Sequence, residues 1–416
     1  MWHSLHPNIR TRIKTQFLSR FGSSLIFPFM AIYLTHAYDA QIAGILMLCN
    51  ISVAFLAGIY GGYLTDILGR RLLLRIGETI KLLVAIGIFC ANLPVYHFPG
   101  LTFLMLTIGN IASGLINPAS EAMLVDVSTE QTRTYMYAIN YWAGNLSLML
   151  GTLIGSWLFQ DYFIVLTAGL VIINSISWFL TKQFITETHP QNKISHRKFS
   201  LSAVLQNYQI VLKDYAFVFY TIGGILLLSI EFQRTNFIAV HLAENFVPFQ
   251  LGAISIDGTK MIGLLTTTNT LIIVLCTAPF SLWLNRHNQR HLFIVGVIIF
   301  PSGFAIQAST THFYWLLLSS IILSCGELLC IPIRQTQLAT LMPAQQRGAY
   351  IAFNGATFQI SKILASLMLV GAPFLSPLII SFLILLLGCG AIFSHFLGCV
   401  LFLLPTKVRN KTKDNV

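Results

Sequence analysis

The chain has 416 residues, of which 55% are hydrophobic and 9% charged, with a mean hydropathy of +0.74 and a net charge of +11. Soluble domains carry about 25% charged residues, so these values exclude an ordinary water-soluble protein and leave a polytopic membrane protein. The bases are spread through short polar stretches and tails rather than clustered with stacking aromatics, which excludes a nucleic-acid partner.

A helix crossing the hydrocarbon needs about 20 apolar residues, and long unbroken apolar runs rule out the alternation of an outer-membrane barrel. The expected fold class is therefore all-α. In chain order the spans are Phe17 to His36, Ile42 to Leu64, Leu72 to Asn92, Leu101 to Val125, Tyr135 to Phe159 and Phe163 to Phe184. Six more follow: Phe217 to Val240, Met261 to Leu284, Leu292 to Ala308, Phe313 to Leu338, Tyr350 to Val370 and Leu378 to Leu404. Before the first span, Met1 to Gln16 carries Arg10, Arg12 and Lys14, and no small-residue cleavage site follows the apolar run, so the first helix is expected to stay.

With a cytoplasmic N-terminus, the bases of that tail, Arg70, Arg71, Arg133, Lys193 to Lys198, Arg286, Arg290, Arg347 and Lys407 to Lys413 all fall inside, and the outer loops keep only Lys260. The positive-inside rule thus places both termini in the cytoplasm and the chain in the cell membrane. The polar stretch THPQNKISHRKFS, continued by LSAVLQNYQIVL, divides a first half, 1–185, from a second, 215–416, with 186–214 as a cytoplasmic linker. An internal repeat supports two parallel halves: Pro118 to Arg133 and Pro332 to Arg347 have the same separation, and Asn140 and Asn354 follow at the same offset.

Between the second and third spans lies GGYLTDILGRR, Gly61 to Arg71. Asp66 precedes Arg70 by four residues, a spacing at which acid and base meet on one helix face, beside glycines that allow close backbone approach. That is the makeup of a gate latch; the plain alternative is a positively charged inner loop. Its counterpart in the second half, LWLNRHNQRH, has Asn285 in place of the acid and no glycine. Gly62, Asp66, Gly69, Arg70 and Arg71 resemble the loop signature of the major facilitator superfamily, G-x-x-x-D-R/K-x-G-R-R/K, with Ile67 standing where the family usually has a second base. The run from Asn140, NYWAGNLSLMLGTLIGSWLF, together with Asp126, is similar to the LmrP-type multidrug/proton antiporters of that superfamily, best over the first six spans. The resemblance implies two six-helix halves working by alternating access, with Asn140 where that type has a fifth-helix acid. Gly151 and Gly155 form a G-x-x-x-G, which suits close helix packing.

Charges within spans are costly, so those retained face a cavity or a partner. Glu327 lies mid-span and matches an embedded acid of the LmrP-type transporters; apolar surroundings favour the neutral carboxyl, which suits proton uptake and release, with structural pairing to a base as the alternative. Glu231 and Arg234 stand three apart and are expected to pair with each other or to face a cavity. Arg20 either snorkels to the inner surface or binds an anionic substrate or Glu327. Asp126, near Glu121, is expected to pair with Arg70 or to cap a helix end, and Glu78 with Lys81 is a structural pair. Proton coupling thus falls to Glu327, Asp126 and Glu231. Asn110, Asn117, Tyr141, Trp142, Asn145 and Asn354 offer amide and aromatic surfaces for substrate beside Arg20 and Asn140, or pack helices together.

The seven cysteines lie in apolar runs without metal or disulfide spacing and read as packing residues, so no metal or cofactor is implied. No GxxxxGK[ST] loop and no nucleophile motif occurs, which points away from ATP use and from an enzyme. The expected function is that of a monomeric secondary transporter in the lipid bilayer, exchanging protons for amphipathic or drug-like compounds. The alternative is a dedicated carrier of an anionic metabolite or lipid-linked saccharide, motivated by Arg20 and Asn140.

Overall fold

The computed structural model describes residues 5–96, 98–188, 209, 211–284, 286–342 and 347–403. Long apolar runs become helices because backbone groups in lipid must be satisfied within their own segment. The helices are α1 (Pro7–Ile26), α2 (Met30–Ala37), α3 (Ala40–Leu68), α4 (Arg70–Ala91), α5 (Pro99–Asp126), α6 (Glu130–Leu158) and α7 (Phe163–Phe184). They continue as α8 (Tyr215–Glu231), α9 (Phe237–Asn245), α10 (Gly258–Leu284), α11 (Gln289–Ser309), α12 (Phe313–Leu341), α13 (Arg347–Gly371) and α14 (Pro377–Leu403). The all-α expectation holds, with one small addition: a two-stranded hairpin, β1 (Phe249–Leu251) and β2 (Ile254–Ile256), turning at Gly252 with φ +63°.

Two of the expected spans are built from two helices each. A 3-10 turn at Phe27–Phe29 joins α1 to α2, where Pro28 lacks the N–H that an unbroken ladder needs. A second, Phe232–Thr235, joins α8 to α9. Among the described residues, ten helical stretches are long and apolar enough to cross a membrane. The two other expected spans, α4 and α6, have 22 and 29 residues, which is about 33 and 43 Å at 1.5 Å per residue, but are more polar. The first helix begins at Pro7, ten residues before the expected span, because Pro7 suits a helix start and His6 accepts a hydrogen bond from the Asn8 N–H at 3.2 Å. Arg12, read as a tail base, therefore lies inside α1. It is buried and donates to Ser120 Oγ at 2.6 Å and Thr15 Oγ1 at 3.1 Å.

The chain separates into two compact units, one within Met1–Lys198 and Gln250–Thr267, the other within Phe199–Phe249 and Thr268–Val416. In the first, α1 packs on α6 and α7, α5 on α3 and α4, and α4 on α7. Gly151 and Gly155 of α6 lie against the α1 backbone at Phe21 and Leu25, so the G-x-x-x-G serves close packing. In the second, α11 packs on α12 and α14, and α8 on α13 and α14. Pro118 is the twentieth residue of α5 and Pro332 the twentieth of α12, counting from Pro99 and Phe313, so the sequence repeat has a matching place in both helices. Hydroxyls along the spans bond back to the preceding turn, as in Thr65 to Gly61 O (2.7 Å) and Ser302 to Ile298 O (2.7 Å), which satisfies them without water.

The cysteines depart from the expected packing role. Among the described residues Cys330 is buried, whereas Cys49, Cys90, Cys325 and Cys389 lie on exposed helix faces. Small apolar side chains are tolerated on such faces when the surroundings are lipid. No group of three or more metal-ligating side chains occurs among the described residues.

Candidate functional site

The turn between α3 and α4 is built from glycine. Gly69 has φ +80° and ψ 163°, a backbone region essentially confined to glycine that costs other residues about 1–3 kcal/mol, and it ends α3 while starting α4. As the N-cap of α4 it has no side chain to satisfy the first amides. Glu187, just beyond α7, does so instead: its carboxylate accepts from the Arg70 N–H at 3.2 Å and the Arg71 N–H at 3.0 Å. An anion at a helix N-terminus also faces the positive end of the macrodipole.

Arg70 turns its guanidinium to α5, where Nε meets Asp126 Oδ2 at 3.1 Å, and Nη1 donates to Thr65 O at 3.3 Å. Thr188 Oγ1 donates to the same Asp126 oxygen at 3.2 Å. Asn8 of α1 holds Thr186 through three bonds, donating to its carbonyl at 3.0 Å and accepting from its N–H and hydroxyl at 3.1 Å. Thr186 to Thr188, read from sequence as the start of the linker, thus form a strap tying α1, α4 and α5 together. Sequence reasoning misses Glu187 and Asn8 because both act across large sequence separations. The tight backbone contact of the glycine pair is at Gly61, against Leu115 and Gly114, whereas a side chain at the signature position Gly62 would meet open space. The side chain of Asp66 and residue Asn285 lie outside the described residues.

Elsewhere in the first unit, the expected pair of Glu78 with Lys81 is present at 3.9 Å, backed by Ser177 to Glu78 (3.0 Å) and Lys81 to Ser19 (2.7 Å). The guanidinium of Arg20 lies against Gly144 of α6, the position at which any larger residue would collide with it. The Asn140 amide oxygen is buried without a hydrogen-bond partner among the described residues. Asn145 donates to Tyr141 O within the helix, at 3.0 Å. Tyr141 and Trp142 are 63% and 57% exposed, and Trp142 borders a groove of about 490 Å³ formed with Ile13, Phe17 and Leu180. Of the expected substrate residues of α6, Tyr141 and Trp142 are thus exposed while the Asn140 oxygen is buried. Asn110 donates to Asn50, which itself donates to Thr107 at 3.1 Å, so Asn110 is occupied in joining α3 to α5. Asn117 lies exposed on α5.

The second unit holds a chain of charged and amide groups. Arg234 Nη1 donates to Asn269 Oδ1 at 3.0 Å, and Asn269 Nδ2 donates to Glu327 Oε2 and to Ser324 Oγ, both at 2.9 Å. The Arg234 guanidinium also lies 5.1 Å from the centre of the Phe304 ring. The expected pairing of Glu231 with Arg234 is not made. Glu231 is the last residue of α8 and Arg234 lies in the following 3-10 turn, aimed at α10, where the amide of Asn269 bridges it to the acid. Glu231 makes no hydrogen bond or close ion pair among the described residues, yet its charge interacts with those of Glu327 and Arg234. Asn269, within TTTNT, does not stand out in the sequence because an isolated amide in a span has no distinguishing pattern. Asn354 accepts from Thr357 at 3.5 Å, a local contact on α13.

A model described as Major Facilitator Superfamily matches residues 15–256 and 235–415. The chain is 25% identical over 413 residues to the Na(+), Li(+), K(+)/H(+) antiporter of Planococcus maritimus, covering 96% of this chain and 97% of that one. It is 22% identical to multidrug resistance protein MdtH of Blochmanniella floridana, covering 80% and 79%. Among solved structures it resembles a POT family transporter in complex with 5-aminolevulinic acid (TM-score 0.71, 16% identity, 94% and 95% covered) and a D-xylose-proton symporter (TM-score 0.70, 15% identity, 94% and 96% covered). These two likenesses concern the fold. Relatives and neighbours alike are transporters rather than enzymes, and since the matched segments take in nearly the whole chain, this multi-pass membrane protein belongs to the major facilitator superfamily.

Proposed function

We propose that this transporter is a proton-coupled exporter of amphipathic, drug-like compounds, working by alternating access of two six-helix halves with twelve crossings in all. The halves are 1–185 and 215–416, joined by 186–214, and both termini lie on the cytoplasmic side of the cell membrane. The observation that carries the reading is the Arg234–Asn269–Glu327 chain, which places a carboxylate within a span, held by an amide rather than by direct contact with a base. A proton leaving or joining Glu327 changes its hydrogen bond to Asn269, and through Asn269 the position of Arg234. Glu231, whose charge interacts with both, is the second acid of this relay. Asp126 belongs instead to the turn, where it holds Arg70.

A second reading, exchange of alkali cations for protons, is favoured by the similarity to the Planococcus maritimus antiporter over 96% of the chain. Purified protein in liposomes, energised by an imposed pH gradient and offered lipophilic cations, neutral amphiphiles, organic anions and Na+ or K+ in turn, tests both. Gradient-dependent movement of amphiphiles supports export of such compounds. Movement of alkali cations alone supports the second reading, and no response to the gradient with any solute contradicts proton coupling.

A further inference from the structure

Within the second unit, Lys362 of α13 is a further half-buried base, beside the turn that carries Arg234. Its Nζ lies 4.6 Å from the ring centre of Phe358, one helical turn earlier, and 5.5 Å from that of Phe232 in the turn between α8 and α9. The two rings meet edge to face, with centres 4.9 Å apart and planes at 88°. No hydrogen bond or ion pair of Lys362 is found among the described residues. Of the described carboxylates of this unit, Glu327 is engaged with Asn269 and Arg234, Glu231 electrostatically with the same groups, and Asp214 with the Tyr350 hydroxyl at 2.9 Å, while Glu244 lies exposed in the last turn of α9. Arg334 lies over Tyr220, 5.9 Å from its ring centre.

Helix α13 runs from Arg347 to Gly371, so at 1.5 Å per residue about 22 Å of helix separate Lys362 from its start and about 14 Å from its end. A charged ammonium at such depth is costly unless partnered, and ring faces relieve that cost only in part. The rings stabilise a cation but offer no oxygen, so the N–H donors of the ammonium remain available. Phe358 is 46% exposed, so its ring can be reached from outside the protein, while the Lys362 side chain beside it is only partly exposed. A group that satisfies both features carries a carboxylate for the ammonium and an apolar or aromatic body for the rings.

We propose that Lys362, Phe232 and Phe358 form a subsite for amphipathic organic anions, the ammonium holding the carboxylate and the two rings the apolar body. This deepens the transport reading by naming a substrate class and rests on that reading for its physiological meaning. The subsite adjoins the relay in the chain, since Phe232 shares its 3-10 turn with Arg234, but no hydrogen bond joins Lys362 to Arg234, Asn269 or Glu327 among the described residues.

The test is equilibrium binding to the purified full chain in nanodiscs, without any gradient, using 1-naphthoate and its neutral counterpart 1-naphthamide. Wild-type protein is expected to prefer the anion by about tenfold or more, as a charge-assisted contact implies. Lys362→Gln should remove the preference while retaining amide binding, Lys362→Arg should restore it, and Phe358→Ala should weaken both ligands. Equal binding of the two ligands by wild-type protein, or an undiminished preference in Lys362→Gln, overturns the subsite. If Lys362→Gln does not fold, unchanged naphthoate affinity in Phe358→Ala overturns it as well. Because binding is read without a gradient, failure of proton-driven flux in wild-type protein contradicts the transport reading, whereas failure of anion preference contradicts only this subsite.

Discussion

Replacing Glu187 by Ala should loosen the start of α4 while leaving the other spans in place. The carboxylate makes two bonds to backbone amides, at 3.2 and 3.0 Å, on a helix whose own N-cap is glycine. Loss of an N-cap costs about 1 kcal/mol, and loss of a negative charge at a helix N-terminus a further 0.3–1 kcal/mol or so at an exposed site. Together these give about 1–2 kcal/mol, and the exposure of Glu187 favours the lower end. Local opening should then rise about 5–30-fold. Hydrogen–deuterium exchange of a peptide spanning Arg70 to Leu74 reads this directly, with peptides from α11 as the internal control. Glu187→Gln, which keeps one acceptor oxygen but no charge, should fall between. Unchanged exchange in Glu187→Ala would refute the assignment of Glu187 as the cap of α4.

Three further outcomes are expected. Gly69→Ala should be destabilising by about 1–3 kcal/mol from its φ of +80° and ψ of 163°, and more in the presence of Glu187, whose carboxylate lies 2.9 Å from an added Cβ; a thermal unfolding midpoint equal to wild type contradicts this. Asp126→Asn with Arg70→Gln, compared in a double-mutant cycle, should show a coupling of about 0.5–1 kcal/mol, since the two side chains are 28% and 11% exposed and solvent weakens their attraction; additive effects on stability mean the pair is incidental. A cysteine at Ser195, on a cysteine-free background, should resist an impermeant reagent in intact cells, and ready labelling reverses the proposed orientation.

The spans are legible because twenty apolar residues in sequence admit few alternatives in lipid, and Phe163 to Phe184 coincides with α7 to the residue. The interruptions are less so. Pro28 signals the first, but the 3-10 turn at Phe232–Thr235 carries no proline or glycine, and it redirects Arg234 from Glu231 to Asn269. Local spacing fails there because it assumes an unbroken helix. The turn at Gly61 to Arg71 is readable as a motif, yet its cap, Glu187, lies 116 to 117 residues away from the amides it binds. Arg12 is misplaced for a related reason: a base in an N-terminal polar stretch reads as solvated, while Ser120 on α5 gives it a buried partner. Lys362 falls within an ordinary helical pattern, and only the approach of Phe232 from another segment distinguishes it.

The central claim is that the carboxyl of Glu327, held by Asn269 at 2.9 Å, couples proton movement to transport. Glu327→Gln keeps the size and a hydrogen-bonding group while fixing a neutral state. The decisive measurement is flux of a transported amphiphile in proteoliposomes, with an imposed pH gradient and, separately, as exchange at equal pH. The account predicts that the Gln variant loses accumulation against a concentration gradient but retains exchange. Accumulation by that variant at the wild-type rate would contradict it, leaving Glu327 as a structural partner of Asn269.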